Sequence, residues 1–120
     1  MKVLNFMTKK PVTLKEEYNV LSAVKEMQEH DCDILPVVDD NQNIQGIVTD
    51  RDILVKALFK NKDLSKVPIT DIMSKNVIFC EEEDSLQQAI SLMSRHDIRR
   101  LLVKSTNGKL SGILSIIDVI

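Results

Sequence analysis

The chain has 120 residues, of which 43% are hydrophobic and 28% charged, a composition typical of one ordinary globular protein. Its 16 basic and 18 acidic residues give a net charge of −2, so it lacks the basic excess that nucleic-acid binding usually requires. It has no apolar run of roughly 18 residues and no secretory signal at its N-terminus, so we expect no membrane span and a cytoplasmic location. Two cysteines suit a reducing compartment.

An internal repeat dominates the sequence. Residues 7–54 align with residues 73–120 without a gap, and 14 of the 48 pairs are identical, where about three are expected from average composition. We therefore predict two repeats that together form one module. The first covers residues 1–66, with a core at 7–59 and a linker at 60–66, and the second covers residues 67–120.

Each repeat has the pattern of a β-α-β-β-α unit. The first is predicted to contain a strand at Val12–Leu14, a helix capped by Asn19, a hairpin of Ile34–Val38 and Ile44–Val48, and a second helix after Thr49. The second is predicted to contain a short helical lead-in at Val67–Met73, a strand at Val77–Cys80, a helix capped by Ser85, and a hairpin of Arg100–Val103 and Leu110–Leu114. Ile120 aligns with Leu54, so we expect the final helix to be truncated, either because the sequence is a fragment or because that helix is missing.

Motifs at equivalent places in the two repeats resemble those of a tandem CBS domain pair, also called a Bateman module. The first copy contains MTKKPVT at 7–13, ILPVVD at 34–39 and GIVTDRDI at 46–53, and the second contains DIMSKNV at 71–77, IRRLLV at 98–103 and GILSIIDV at 112–119. The resemblance implies a mixed α/β (α+β) fold whose two repeats pack with pseudo-two-fold symmetry. It also implies a regulatory module without catalysis or a required cofactor, which forms a homodimer and controls an effector domain or a partner protein. In such modules AMP, ADP, ATP or S-adenosylmethionine occupies clefts between the repeats.

The spacing Thr49-x-x-Asp52 recurs as Ser115-x-x-Asp118. In both copies a hydroxyl residue ends a strand, and the aspartate lies in the first turn of the next helix. A carboxylate accepts hydrogen bonds from a ribose diol, and a helix start with a hydroxyl group can donate to phosphate. The same residues are also ordinary helix caps, and each copy taken alone favours that simpler role.

The resemblance assigns further residues to two clefts, each of which takes its sugar contacts from one repeat and its adenine contacts from the other. One cleft combines Ser115 and Asp118 with Thr8, Thr13, Cys32 and Ile34, and the other combines Thr49 and Asp52 with Ser74, Phe79 and Ile98. Arg100 matches a phosphate-contacting position of the family, Arg99 is its neighbour, and Arg51 is a third candidate cation. Because Asp33 and Ile34 replace the two arginines in the first repeat, we expect unequal clefts, without knowing which is stronger.

Two other functions remain open from the sequence. One is a module that serves only for dimerisation or docking without any ligand, and the other is a module that responds to metal or oxidant through His30, Cys32 and Cys80. His30 and His96 lie near helix ends, where capping explains them better than a metal does. Common catalytic and phosphate-loop motifs are absent, so we predict no catalytic residue and no metal site.

Overall fold

The computed structural model describes residues 1–120 and divides into two compact units. We call Val12–Val77 the central unit, and Met1–Pro11 together with Ile78–Ile120 the terminal unit. Each unit has its own sheet and its own apolar core. None of the helices combines the length and the apolar composition that crossing a membrane needs.

The regular elements follow one another in the order that the repeats predict, apart from the additional strand β1, which was not predicted. They are β1 (Thr8–Lys9), β2 (Leu14–Lys15), α1 (Val20–His30), β3 (Ile34–Val38), β4 (Ile44–Thr49), α2 (Asp50–Asp52), α3 (Leu58–Lys60), β5 (Phe79–Glu81), α4 (Leu86–His96), β6 (Arg100–Lys104) and β7 (Leu110–Ser115). The central sheet has the order β2-β3-β4, and the terminal sheet has the order β1-β7-β6-β5. In both, a parallel strand pair is followed by an antiparallel hairpin, which confirms the mixed α/β class.

The two long helices begin and end in the same way. The side chain of Asn19 accepts a hydrogen bond from the Ser22 amide at 2.9 Å, and Ser85 caps α4 through the Gln88 amide at 3.1 Å, so both predicted N-caps are confirmed. Each helix ends at an aspartate in the left-handed conformation, Asp31 with φ 51° and Asp97 with φ 53°. Aspartate tolerates this conformation better than most residues, which accounts for its repetition at both helix ends.

The first predicted strand of each repeat begins two residues later in the structure than expected. Val12–Leu14 was expected, but β2 covers Leu14–Lys15, and Val77–Cys80 was expected, but β5 covers Phe79–Glu81. The register of the parallel partner explains the difference, because Leu14 lies opposite Val37, and Phe79 lies opposite Leu102. Periodicity locates an apolar run, whereas pairing with another strand determines where the ladder starts.

The predicted second helix of the central unit is interrupted. A wide π-helical turn, Ile53–Ala57, separates α2 from α3. Ile53 and Ala57 are buried in this turn, whereas Leu54 and Val55 are exposed. In the terminal unit the corresponding segment is the 3-10 turn Ile116–Val119.

Val67–Met73 does not pack where its place in the sequence repeat suggests. It was predicted as a lead-in to the second repeat, but Val67 and Ile69 are buried in the central core that the first repeat forms. The Val20 amide donates to the carbonyl oxygen of Val67 at 2.8 Å. The equivalent lead-in, residues 1–7, contributes Val3 to the terminal core. Each lead-in therefore completes the core of the other repeat, because its apolar side chains are buried there.

A glycine in each hairpin allows a neighbouring segment to approach closely. Gly112 on β7 lies opposite Lys9 on β1, and a Cβ atom there would lie 2.6 Å from the carbonyl oxygen of Thr8 and 2.7 Å from Sδ of Met7. Gly46 on β4 has the same relation to Ser74, whose carbonyl oxygen would lie at 2.7 Å. The positions of Thr8 and Ser74, both predicted site residues, therefore depend on glycine in the adjacent strand.

Candidate functional site

The end of β4 in the central unit carries the first predicted aspartate. Thr49 has extended backbone angles, and its Oγ1 accepts a hydrogen bond from the Asp52 amide at 3.1 Å. In return, the Thr49 amide donates to Oδ2 of Asp52 at 2.9 Å. The two residues therefore form a reciprocal cap, which satisfies backbone groups at the start of α2.

The end of β7 in the terminal unit repeats this arrangement. The Ser115 amide donates to Oδ2 of Asp118 at 2.9 Å, and Oγ of Ser115 accepts from the Ile117 amide at 3.4 Å. In both units the aspartate thus uses one oxygen for the cap. The capping role and a ligand role are compatible, because a carboxylate has a second oxygen.

The second oxygen distinguishes the two aspartates. Oδ1 of Asp52 lies 3.0 Å from Nζ of Lys56, one helical turn later, and the Asp52 side chain is 14% exposed. Oδ1 of Asp118 has no hydrogen-bond or ion-pair partner, and the residue is half-buried. Only the aspartate of the terminal unit therefore presents an unused acceptor. Lys56 was missed from the sequence, although its position four residues after Asp52 could have indicated the pair.

The residues opposite the two junctions also differ. Ile34 on β3 pairs with Thr49, whereas Arg100 on β6 pairs with Ser115. Directly opposed residues on antiparallel strands have their side chains on one face of the sheet, so Arg100 lies on the face of Ser115. Arg99 lies next in the chain and is exposed, and its carbonyl oxygen accepts from the Ile116 amide at 2.8 Å.

A hydroxyl residue lies beside each junction within the same unit. Thr8 pairs with Ile113 on β7, two residues before Ser115. Ser74 exchanges two backbone hydrogen bonds with Ile47 on β4, at 2.8 and 2.9 Å, two residues before Thr49. Each unit thus brings together three of its predicted residues: Thr8, Ser115 and Asp118 in the terminal unit, and Ser74, Thr49 and Asp52 in the central unit.

The predicted adenine contacts are distributed over both units. Thr13, Cys32 and Ile34 belong to the central unit, and Phe79 and Ile98 belong to the terminal unit. Cys32 and Ile98 are equivalent half-buried residues, and each donates its amide to a carbonyl one turn earlier in the preceding helix, at 3.1 and 3.0 Å. Each predicted cleft draws on both units, and these two clefts stay a prediction.

Two charged side chains, Lys104 and Arg51, lie next to residues that were predicted to contact the ligand. Nζ of Lys104 lies 3.5 Å from the centre of the Phe79 ring, a cation–π contact that covers one face of the ring. The exposed Arg51 lies in the first turn after β4, where its guanidinium group can reach solvent. No sequence pattern pointed to Lys104, since its contact depends on the pairing of β5 with β6.

The two thiols are poorly suited to reaction. Burial raises the pKa of the Cys32 thiol, and the carboxylates of Asp33, Glu26 and Asp31 raise it further. Burial, followed by the carboxylate of Asp84, raises the pKa of Cys80 from 9.0 to about 11. Both thiols are therefore protonated at neutral pH, whereas a reactive cysteine is a thiolate.

Solved structures similar to this chain contain adenosyl compounds or zinc ions. CBSX2 in complex with AMP is 29% identical, with a TM-score of 0.85 over 98% of this chain and 92% of that chain. The CBS domain pair of protein MJ0100 in complex with 5-methylthioadenosine and S-adenosyl-L-methionine is also 29% identical, with a TM-score of 0.87 over 99% and 92%. Hypoxic Response Protein I with two coordinated zinc ions is 26% identical, with a TM-score of 0.89 over 99% and 96%.

Curated relatives are often longer than this chain. At 35% identity the match covers 98% of this chain and 70% of an uncharacterized 17.7 kDa protein of Acidianus ambivalens. For protein MK0525 of Methanopyrus kandleri, 36% identical, it covers 78% of this chain and 48% of that protein. The sequence matches the CBS domain over residues 3–59 and again over residues 69–120. The chain therefore belongs to the CBS domain family, as a tandem pair of such domains.

Proposed function

We propose that the chain is a regulatory module that binds an adenosyl compound of the AMP, ADP, ATP or S-adenosylmethionine class and performs no chemistry on it. The similarity to CBS pairs crystallised with AMP and with S-adenosyl-L-methionine supports this ligand class. The proposed location is the cytoplasm, where such compounds are abundant. Binding regulates a partner by shifting the population of two arrangements of the module, which requires unequal affinity for the two.

The unused oxygen of Asp118 is the observation that carries the proposal. Its other oxygen is held by the Ser115 amide at 2.9 Å, which orients the carboxylate. Oδ1 is thereby left to accept hydrogen bonds from a ribose diol. Arg100, opposite Ser115, supplies positive charge for a phosphate or another anionic group.

The junction at Asp118 is therefore the stronger of the two sites in this proposal. At Asp52 a ribose would have to displace the Lys56 ammonium, which lies 3.0 Å from the carboxylate. The residue opposite Thr49 is Ile34, which offers no charge to a phosphate. The weaker site favours a ligand without phosphate, or stays empty.

Calorimetric titration and thermal unfolding of the intact chain test the proposal. AMP, ADP, ATP, S-adenosylmethionine, NADH and cyclic di-AMP are compared with GMP and GTP. A ligand at 100 times its Kd stabilises the folded protein by about 2.7 kcal/mol, which corresponds to a rise in Tm of roughly 10 °C for a protein of this size. We expect this rise with at least one adenine compound and not with guanine nucleotides.

Two matched variants locate the ligand. Asp118→Asn keeps an oxygen for the Ser115 amide but removes the charge, and it should weaken binding about 10-fold to 100-fold, since hydrogen bonds to charged groups contribute about 1.5–3 kcal/mol. Asp52→Asn is the control and should change the affinity less than threefold. Equal affinity of wild type and Asp118→Asn would refute the site assignment.

We also propose that the module acts as a homodimer through an exposed apolar surface. We define this surface by Leu54, Val55, Leu58 and Phe59, which are 66%, 51%, 47% and 89% exposed. Clusters of this kind commonly mark interaction sites, and the resemblance to Bateman modules favours a second copy as its partner. Phe59→Glu should yield a monomer by analytical ultracentrifugation, whereas the exposed Lys62→Glu should leave the dimer intact.

A ligand-free docking module is the second candidate function. The reciprocal caps at Thr49 and Ser115 favour it, because capping alone accounts for both aspartates. Absence of any thermal shift on a folded sample would support this alternative over the first. The redox alternative is disfavoured by the raised pKa values of Cys32 and Cys80.

A further inference from the structure

The last turn of α1 gathers three possible metal ligands outside the proposed nucleotide site. The ligand atoms of Glu26, Glu29 and His30 all lie within 4.8 Å of one another, and Nε2 of His30 lies 3.3 Å from Oε2 of Glu26. Their spacing of i, i+3 and i+4 places them on one face of the helix. We propose that this cluster is a binding site for a divalent transition-metal ion such as Zn²⁺.

The chemistry of the three side chains selects the class of ion. An imidazole nitrogen with two carboxylates suits Zn²⁺, Co²⁺ or Ni²⁺, whereas Mg²⁺ and Ca²⁺ prefer oxygen ligands throughout. The side chains of His30 and Glu26 are 44% and 34% exposed, so an ion can reach them from solvent. With three ligands from the protein, water completes the coordination, as in open zinc sites.

Electrostatics at the helix end also favours a cation. The carboxylates of Glu26 and Glu29 lie on one face, one turn apart, and like charges at this spacing destabilise a helix. The carbonyl end of the helix dipole adds partial negative charge at the same place. A bound divalent ion offsets both the repulsion between the two carboxylates and the partial negative charge at the helix end.

The second repeat provides an internal comparison. The residues of α4 equivalent to Glu26, Glu29 and His30 are Leu92, Arg95 and His96. Yet α4 has 11 residues, as α1 does, and it likewise ends at an aspartate in the left-handed backbone conformation. The helix end therefore forms without the two glutamates, so capping of the helix does not require them. The cation Arg95 would repel a metal at the equivalent position.

Metal binding at this place would affect the nucleotide site, a consequence that depends on the function proposed above. After His30 the chain turns at Asp31, and the Cys32 amide donates to the carbonyl oxygen of Met27 at 3.1 Å. Cys32 and Ile34, two of the proposed adenine contacts, follow within four residues of His30. An ion that restrains the last turn of α1 would change the affinity for the nucleotide, and the nucleotide would change the affinity for the ion by the same factor.

Titration of the intact chain with Zn²⁺ alone, without nucleotide, tests the site. We expect one ion per chain by calorimetry, and at least a tenfold loss of affinity in Glu29→Gln and in His30→Gln. His96→Gln is the matched control at the equivalent helix end and should bind as the wild type does. A Cys32→Ser, Cys80→Ser variant should also retain the site, and its Co²⁺ complex should have the same visible absorption spectrum as that of the wild type. Circular dichroism confirms that each variant is folded.

The opposite results would overturn the proposal. Absence of Zn²⁺ binding to the folded wild type excludes the site, and so does unchanged affinity in both Glu29→Gln and His30→Gln. Loss of binding in His96→Gln or in the double cysteine variant would assign the ion elsewhere. Because no nucleotide is present, these outcomes do not depend on whether the chain binds an adenosyl compound.

Discussion

Substitution of Gly112 by alanine is expected to push β1 away from β7. The new Cβ atom would lie 2.6 Å from the carbonyl oxygen of Thr8, whereas ordinary van der Waals contact begins near 3.4 Å. Sδ of Met7, at 2.7 Å, belongs to a flexible side chain and can move, but the carbonyl oxygen belongs to the backbone of β1. Relief of the contact therefore requires a displacement of about 0.8 Å at the strand that carries Thr8.

Two opposing contributions determine how much Gly112→Ala changes the free energy of unfolding. Overpacking of this kind typically costs about 1–3 kcal/mol. Alanine also reduces the conformational entropy of the unfolded chain, which stabilises the protein by about 0.4–1 kcal/mol where the backbone tolerates it. We expect Gly112→Ala to lower the free energy of unfolding by about 1–2 kcal/mol.

Urea unfolding and amide hydrogen exchange together test this reasoning. The urea midpoint should fall with little change in the m-value, and the exchange of amides on β1 should accelerate. The control is Gly108→Ala, since nothing lies within 4 Å of its Cβ position and its only cost is a φ of +82°. It should leave the exchange on β1 unchanged. Wild-type stability and unchanged protection of β1 in Gly112→Ala would refute the close-packing argument.

Three further predictions follow from individual contacts. Lys56→Gln frees Oδ1 of Asp52 from the ion pair at 3.0 Å, so calorimetry should show tighter binding of an adenosyl ligand at that junction. Weaker binding would contradict the argument that Lys56 and the ribose compete for Asp52. Ile69→Ala should destabilise the protein by about 2–5 kcal/mol in urea unfolding, because it creates a cavity in the central core. A much smaller loss would contradict the packing of this lead-in. The pKa of Cys80 is raised from 9.0 to about 11, which means that the folded state binds the thiol proton more tightly than the unfolded state does. The contribution of this thiol to stability should therefore be constant well below pH 9 and fall as the pH rises towards 11. Cys80→Ala should abolish this fall.

The parts of the fold that local sequence determines were predicted correctly. An apolar stripe on one helix face predicted α1 and α4, and the capping preferences of Asn19 and Ser85 located their first turns. The hairpin of β3 and β4 was recognised because two apolar runs enclose a short polar turn. These features depend on residues that lie close together in the chain.

The parts that depend on distant contacts were not predicted. The composition of Val67–Met73 indicates a short apolar segment, but it does not say which core receives Val67 or Ile69. The pairing of Lys104 with Phe79 follows from strand register, which periodicity alone does not determine. At the site, the spacing of Thr49 and Asp52 revealed the cap, whereas the inequality of the two aspartates became clear only from the contacts of Lys56 and Asp118.

The exchange of the two lead-in segments has a consequence for the order of assembly during synthesis. The central unit is continuous in sequence, from Val12 to Val77, so all of its parts have been synthesised before β5 begins. The terminal unit joins residues 1–11 to residues 78–120 across that intervening segment, and its closure carries the entropic cost of a long loop. Folding of the central unit first would hold the two segments near each other and shorten that loop. An isolated fragment of residues 1–77 should accordingly contain a folded central unit, in which Val3 and Met7 lack the contacts that they make in the terminal core.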